Sequence, residues 1–125
     1  MSTKFAGRFI WNTRGDWIAT LVDGHLWDPA GHWIGWVEGE DVYKADGEWI
    51  GTLSRDGRIL RRRSELRHDL HPRIPAVPAK PDLPTLPPLP PLFAELSHTV
   101  VDVAERDPDI FKRLSDRRPD MGEAT

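Results

Sequence analysis

The sequence predicts an all-β fold for its first half: a small, shallow β-barrel with pseudo-four-fold symmetry. Three observations predict it: a unit repeated every 16 residues, short strand-like runs within each unit, and glycine-containing turns between the runs. A polyproline II segment and a short α-helical tail follow. We expect the repeat domain over 1–66, a basic and then proline-rich extended segment over 67–91, the helical tail over 92–115, and disorder over 116–125.

The repeat has two sets of equivalent positions. In the first set, Gly-x-Trp-Ile, a tiny residue and an aliphatic residue recur at 15–21, 31–37 and 47–53. The second set has aromatic or aliphatic members spaced by 16, namely Trp11, Trp27, Tyr43 and Ile59. A fixed period of this kind is the signature of a repeat architecture. Because the first set lacks a fourth member, we expect Ser2–Phe5 to supply it and to close a ring by pairing with Arg58–Arg61.

Alternation along each strand divides the side chains between two faces. Trp17, Ala19 and Leu21 would share one face, and Ile18 and Thr20 the other. Both faces carry large apolar groups, so the sequence leaves open which face is interior. The tiny residue at 19, 35 and 51 predicts room beside it for an aromatic ring or a neighbouring backbone.

All six tryptophans lie within residues 11–49. One interpretation is that they form the core, because a domain of about 60 residues needs large side chains to bury enough surface. The other is that some of them line a shallow ligand groove. Trp36 is the strongest candidate, because threonine stands at its equivalent positions. Trp33 and Trp49 are the other candidate binding tryptophans.

The units Gly-x-Trp-Ile-Gly-x-Leu (47–53) and Leu-Trp-Asp-x-x-Gly-x-x-Ile-Gly (26–35), with the Asp56-Gly57 turn, resemble those of a bacterial family, the four-fold β-flower proteins. The resemblance covers about 1–63 and implies a ring-like barrel with pseudo-four-fold symmetry. It brings no catalytic or binding residues. Arg58 departs from the pattern, which has an aliphatic residue there. A likeness of such barrels to the tubby-like group implies lipid or membrane-surface binding by analogy of fold alone.

Prolines recur at every third position of the extended segment, at Pro72, Pro75, Pro78, Pro81, Pro84, Pro87 and Pro90. Polyproline II has three residues per turn, so these prolines would line one edge of a rod. A second edge is apolar apart from Lys80, with Ile74, Val77, Leu83, Leu86, Leu89 and Leu92. Three interpretations stay open: a semi-rigid linker, a ligand for an external SH3- or WW-like domain, or docking in cis onto the aromatic barrel.

The tail has helical periodicity. Phe93, Leu96, Val100 and Val103 follow the i, i+3, i+4 rule, which predicts an amphipathic helix over Leu92–Arg106. Asp107 followed by Pro108 is typical of a helix start and predicts a second short helix to about Ser115. The apolar face of these helices needs a partner.

Charge is unevenly distributed. The formal net charge is -3, but residues 58–80 carry seven Lys/Arg against two Asp/Glu, and the flanking zones are acidic. Arg61, Arg62 and Arg63 could bind phosphate groups of anionic lipid, or could pair with the acidic barrel. The overall acidity makes nucleic acid an unexpected partner.

Catalytic chemistry is not predicted, because no nucleophile stands with a matching base and no phosphate-binding loop or metalloprotease motif occurs. His68, Asp69 and His71 resemble half a metal site, but no cysteine or further histidine clusters with them. We therefore expect no enzyme activity, catalytic residue, metal or cofactor.

The sequence thus predicts a non-enzymatic binding or scaffolding module. Its partner would be another protein or its own proline-rich segment. The alternative is a peripheral membrane protein that binds anionic lipid through the arginines and an acyl chain in the barrel. No apolar leader or span is visible in the sequence, so we expect a cytoplasmic location.

Overall fold

The computed structural model describes residues 7–65 and 69–115. Its main feature is one antiparallel sheet, in which eight strands follow one another in chain order and curl into a half-barrel. The strands are β1 (Arg8–Trp11), β2 (Trp17–Val22), β3 (His25–Trp27), β4 (Trp33–Glu38), β5 (Asp41–Lys44), β6 (Trp49–Leu53), β7 (Ile59–Arg62) and β8 (Val100–Asp102). A short helix, α1 (Val103–Arg106), and a 3-10 helix (Ile110–Lys112) follow. The prediction of an all-β domain with a short helical element after it is confirmed.

The strands of each hairpin are joined by turns that need left-handed backbone. Between β2 and β3, Asp23 has φ 50° and Gly24 has φ 80°. Two consecutive residues with positive φ form the type of tight turn that matches the twist of two paired strands. Asp and Gly are the residue types that adopt this conformation at least cost. The Asp-Gly pairs seen in the sequence are therefore turn residues.

Each of three hairpins has an irregularity at the start of its second strand. The register of β1 with β2 shifts between Ile10 and Trp11, so that Ile10 pairs with Ala19 and Trp11 with Trp17. Equivalent shifts occur between β3 and β4 and between β5 and β6. The extra residue interrupts strict alternation. The strict alternation expected for Ile18 and Ala19 is therefore interrupted: Ala19 belongs to the buried core, and the half-buried Ile18 also packs against that core.

The tiny residues make room for neighbouring backbone. A Cβ added at Gly35 would collide with the carbonyl oxygen of Tyr43 on the next strand. A Cβ at Gly51 would lie 2.6 Å from the carbonyl oxygen of Leu60. Of the two alternatives predicted for these positions, the close approach of backbone is confirmed.

The outer edge of β7 pairs with the tail of the chain. Arg61 lies opposite Val101 in an antiparallel ladder between β7 and β8. We expect from the sequence that Ser2–Phe5 pairs with Arg58–Arg61. This is wrong, because β8 occupies that edge of β7. Ser2–Phe5 lies outside the described residues. The sheet curls far enough for its first strand to approach β7. Trp11 bridges to Arg58 and donates its backbone N–H to the Gly57 carbonyl at 2.8 Å.

The predicted helix over Leu92–Arg106 is wrong in extent. Only Val103–Arg106 is helical, and Val100–Asp102 is a strand. β-Branched residues favour strands, and pairing of Val100–Asp102 with β7 satisfies a strand edge that would otherwise stay open. Asp102 caps α1 by accepting the backbone N–H of Glu105 at 3.2 Å. The second predicted helix is reduced to the 3-10 turn, and 116–125 lie outside the described residues.

The interior of the half-barrel is filled by aliphatic side chains from six strands and from α1. The buried cluster comprises Ile10, Ala19, Leu26, Val42, Ile50, Ile59 and Val103. Val103 comes from the tail and is 3% exposed. The tail therefore completes the core of the repeat domain, and the two predicted domains share one interior.

Candidate functional site

The segment between β7 and β8 lies against the domain along one edge. We call residues 72–92 the strap, its prolines at every third position from 72 to 90 the proline edge, and its residues at every third position from 74 to 92 the leucine edge. Five prolines of the proline edge are half-buried: Pro75, Pro78, Pro81, Pro84 and Pro87. On the leucine edge every residue but Leu83 is exposed, and Leu86, Leu89 and Leu92 are 79%, 91% and 99% exposed. Burial of the strap thus has a period of three.

The strap passes three turns of the barrel in reverse order of the chain. Beside Gly47, the backbone N–H of His71 donates to the Gly47 carbonyl at 2.9 Å. Beside Gly31 lie the side chains of Lys80 and Leu83. Beside Gly15 lies Pro90, whose Cγ would be 3.2 Å from a Cβ added to that glycine. The turns β5–β6, β3–β4 and β1–β2 are equivalent in the repeat, so the strap follows one rim of the barrel.

An aromatic cluster holds the amino end of the strap; we call it the amino anchor, comprising Trp36, Glu38, Tyr43 and His71. The rings of Trp36 and Tyr43 stack with centroids 5.1 Å apart. The His71 ring meets both edge-on, at 5.4 Å from Trp36 and 4.9 Å from Tyr43. Edge-to-face and stacked pairs at these separations are favourable. The histidine therefore packs edge-on against both rings.

Glu38 joins the two sides of the amino anchor. Its Oε2 accepts a hydrogen bond from the indole Nε1 of Trp36 at 2.9 Å and lies 2.9 Å from Nε2 of His71. The hydrogen bond from Trp36 and, to a smaller extent, the one with His71 hold the pKa of Glu38 below its usual range. Burial, together with the charges of Asp41 and Glu38, raises the pKa of Tyr43, which stays neutral.

The predicted binding tryptophans have different environments. Trp33 is half-buried, stacks on Trp36 at 6.4 Å and donates to His25 Nδ1 at 3.1 Å. Trp36 is 3% exposed under His71. Trp49 is 6% exposed and donates to Asp41 at 3.0 Å. The structure thus brings Trp33 and Trp36 together, and the groove expected at Trp36 is occupied by the chain's own His71.

A buried arginine holds the carboxyl end of the strap; we call this the carboxyl anchor, comprising Asp56, Arg58, Phe93 and Ala94. Arg58 is 1% exposed, and its Nη2 lies 2.7 Å from Asp56 Oδ2 and donates to the Ala94 carbonyl at 2.8 Å. Its guanidinium carbon lies 4.9 Å above the Phe93 ring. Burial alone would raise the pKa of Asp56, but hydrogen bonds from Arg58, Ser54 and the backbone of Ala94 lower it.

The three predicted arginines do not form one patch. Arg61 lines a cleft of about 290 Å³ together with Arg106 and Arg113. Arg62 is exposed at the end of β7. Arg63 lines a different cleft of about 740 Å³, where its Nε donates to the His98 carbonyl at 2.5 Å. Strand alternation separates Arg61 from Arg62, so a flat anionic surface would meet them unequally.

Three residues of the anchors were missed as binding residues by sequence reasoning: Glu38, Arg58 and His71. His71 was grouped with His68 as half a metal site, but it contacts Trp36, Tyr43 and Glu38, and His68 lies outside the described residues. The signal that could have found Arg58 was present, because the equivalent positions hold Ile10, Leu26 and Val42. Trp36 and Arg58 both break the repeat, and both contact the segment after it.

Comparisons of the chain with protein-family models, with curated proteins and with solved structures found no match. Within 7–65 and 69–115, no helix is both long and apolar enough to cross a membrane.

Proposed function

We propose that this protein is a non-enzymatic interaction module in which the barrel holds the strap by its proline edge and offers the leucine edge to a protein partner. One observation carries the proposal: every third residue from Pro75 to Pro87 is half-buried, whereas Leu86, Leu89 and Leu92 are 79%, 91% and 99% exposed. A soluble protein rarely exposes large aliphatic side chains in a row without a use for them. A plain linker would need neither edge.

The conformation we propose for the strap is polyproline II. It has three residues per turn and no internal hydrogen bonds, which fits both the burial period and the absence of helix or strand over 72–92. Because proline has no backbone N–H, a partner that adds a strand is disfavoured over 84–91. The free carbonyls and the leucines suit a partner surface with apolar pockets and side-chain donors.

We also propose that the chain is a member of the four-fold β-flower family. The hairpin shifts at Ile10, Leu26 and Val42, spaced by 16 residues, support pseudo-four-fold symmetry. The strap then follows a rim made of equivalent turns. Because equivalent turns recur along the rim, they can make the same contacts repeatedly with a rod whose residues also recur at a fixed period.

The experiment uses the full chain in its native host with a photo-crosslinking amino acid at Leu89 or, as the control, at Pro87 on the proline edge. We expect an adduct of defined mass from position 89 and not from 87. The protein identified in it is then purified and titrated, and Leu89→Ser should weaken its binding at least tenfold. Equal labelling from both positions, or none from position 89, would contradict the proposal.

Binding of anionic lipid is a second candidate, favoured by the cleft that Arg61 shares with Arg106 and Arg113, although Arg113 is paired there with Asp107. The aliphatic cluster that includes Val42, Ile50 and Val103 fills the half-barrel, so an acyl chain would find no room there. Binding would then be electrostatic and sensitive to salt. Vesicles with anionic headgroups should float with the wild-type chain at low salt but not with Arg61→Ser, and failure of the wild-type chain to float would remove this candidate.

A further inference from the structure

The sequence of the leucine edge reads the same in both directions at its most exposed part. Residues 86–92 are Leu-Pro-Pro-Leu-Pro-Pro-Leu, with Leu89 at the centre. In an extended rod with three residues per turn, all three leucines lie on one edge, about 9 Å apart. A second copy turned antiparallel presents the same side chains in the same order. Every leucine can then lie opposite a leucine.

We call residues 86–92 the strip. The strip and its neighbours lack the features that would oppose such pairing. Residues 83–94 contain no charged side chain, so the strap itself brings no like charges together across a two-fold axis. Five of the nine residues from 84 to 92 are prolines, which have already lost most of their backbone freedom in the free chain. Pairing therefore costs little conformational entropy, and it buries side chains that are otherwise 79–99% exposed.

A groove beside the strip extends the surface. It is lined by Arg8, Phe9, Trp11 and Arg55 from the barrel and by Pro88, Leu89 and Pro91 from the strap. The aromatic rings of Phe9 and Trp11 lie 6.2 Å apart. Three leucines alone fall short of the roughly 800 Å² per partner of a standard interface. The groove brings aromatic area next to the strip, where the flanks of a second copy would lie.

From these observations we propose that the leucine edge is a self-association surface, and that two copies of this chain pair antiparallel through residues 86–92 with Leu89 at the two-fold axis. This rests on the proposed function, since it names the partner of the same edge as a second copy. The interface is small, so a dissociation constant on the order of tens of micromolar is expected.

Sedimentation equilibrium of the full chain, from about 1 to about 300 µM, tests the pairing. The weight-average mass should rise from the 14.3 kDa of the monomer toward twice that value. Leu89→Ser should weaken association at least tenfold. The matched control is Leu114→Ser, because Leu114 is a 58% exposed leucine outside the leucine edge, and it should leave association unchanged. A constant 14.3 kDa, or association that survives Leu89→Ser, would overturn the proposal.

Cysteine pairing tests the direction, because the chain has no cysteine of its own. A mixture of the Leu86→Cys and Leu92→Cys variants should form the mixed disulfide dimer under mild oxidation. Each variant alone should form little dimer. Preferential formation of the 86–86 dimer would overturn the antiparallel arrangement. If the mass stays monomeric while crosslinking from position 89 yields a different protein, self-association fails and the proposed function stands.

Discussion

The two ends of the strap are held in different ways. At the carboxyl end, Arg58 is 1% exposed, and the chain continues directly into β8 and into the core through Val103. At the amino end, the His71 side chain packs on a ring pair and is 17% exposed, and its partner Glu38 has a side chain that is 52% exposed, against 1% and 19% for Arg58 and Asp56. A buried ion pair with several partners is costly to break, whereas an exposed pair contributes little. The carboxyl anchor is part of the fold, and the amino anchor is a contact that can open while the fold persists.

Arg58→Ala should have the largest effect, because it removes a fully buried guanidinium, leaves the half-buried Asp56 without its ion-pair partner and removes the ring contact of Phe93. We expect a loss of about 3–5 kcal/mol in the free energy of unfolding, measured in denaturant. Arg55→Ala is the control, since Arg55 is exposed in the adjoining turn. Arg58→Leu combined with Asp56→Ala should recover much of the loss. If Arg58→Ala costs no more than the control, the carboxyl anchor is not structural.

His71→Ala should have a smaller effect on global stability, about 1 kcal/mol, because the ring is removed from a platform that stays folded. Its local effect is larger. A cysteine at Pro78, on the half-buried edge, should react with a thiol reagent several times faster when His71 is absent. His98→Ala is the control, since only the His98 backbone makes the hydrogen bond with Arg63. Unchanged reactivity at position 78 would mean that the amino anchor does not hold the strap.

Acid should open the amino anchor through Glu38. Because the contacts of the folded state lower its pKa, the stabilisation is present above the ordinary carboxyl pKa and is lost as pH falls through the lowered value. The indole N–H signal of Trp36, followed by NMR from about pH 6 to about pH 3, should report loss of its hydrogen bond to Glu38. Glu38→Gln should abolish this titration, while Glu40→Gln should preserve it. A titration that persists in Glu38→Gln would assign it to another group.

Lys80→Ala should have the smallest effect, below about 0.5 kcal/mol, because Lys80 is an exposed residue in the middle of the strap. Its side chain lies beside Gly31. Chemical denaturation of this variant beside wild type measures the difference. A loss above about 1 kcal/mol would show that the middle of the strap is anchored as firmly as its ends.

The hairpins could be predicted from the sequence because their information is local. Repeated turns such as Asp23-Gly24 and the aromatic positions define short strands between them. The strand β8 could not be predicted in the same way. Its three residues, Val100–Asp102, pair with β7 only after a long connection, and Val100 and Val103 also fit a helical period. The open backbone edge of β7 favours the strand over the helix for these residues.

The candidate site was predicted only in part. Trp36 was recognised because it breaks the repeat, and Arg58 was recognised as a departure, but neither partner could be assigned. His71 and Phe93 are far from them along the chain, and no local pattern links the members of each pair. Aliphatic side chains at every third residue predicted an edge. Which edge faces the barrel became known only from the burial in three dimensions.

The most direct test is a cysteine scan of the strap at dilute protein concentration, where the chain is monomeric. Each residue from 84 to 91 is replaced singly by cysteine, and the rate of reaction with a thiol reagent is measured in the folded chain and after denaturation. We expect slow reaction at the half-buried positions 84 and 87 and fast reaction at 85, 86, 88, 89, 90 and 91, which are exposed. Uniformly fast reaction along the strap would contradict this expectation.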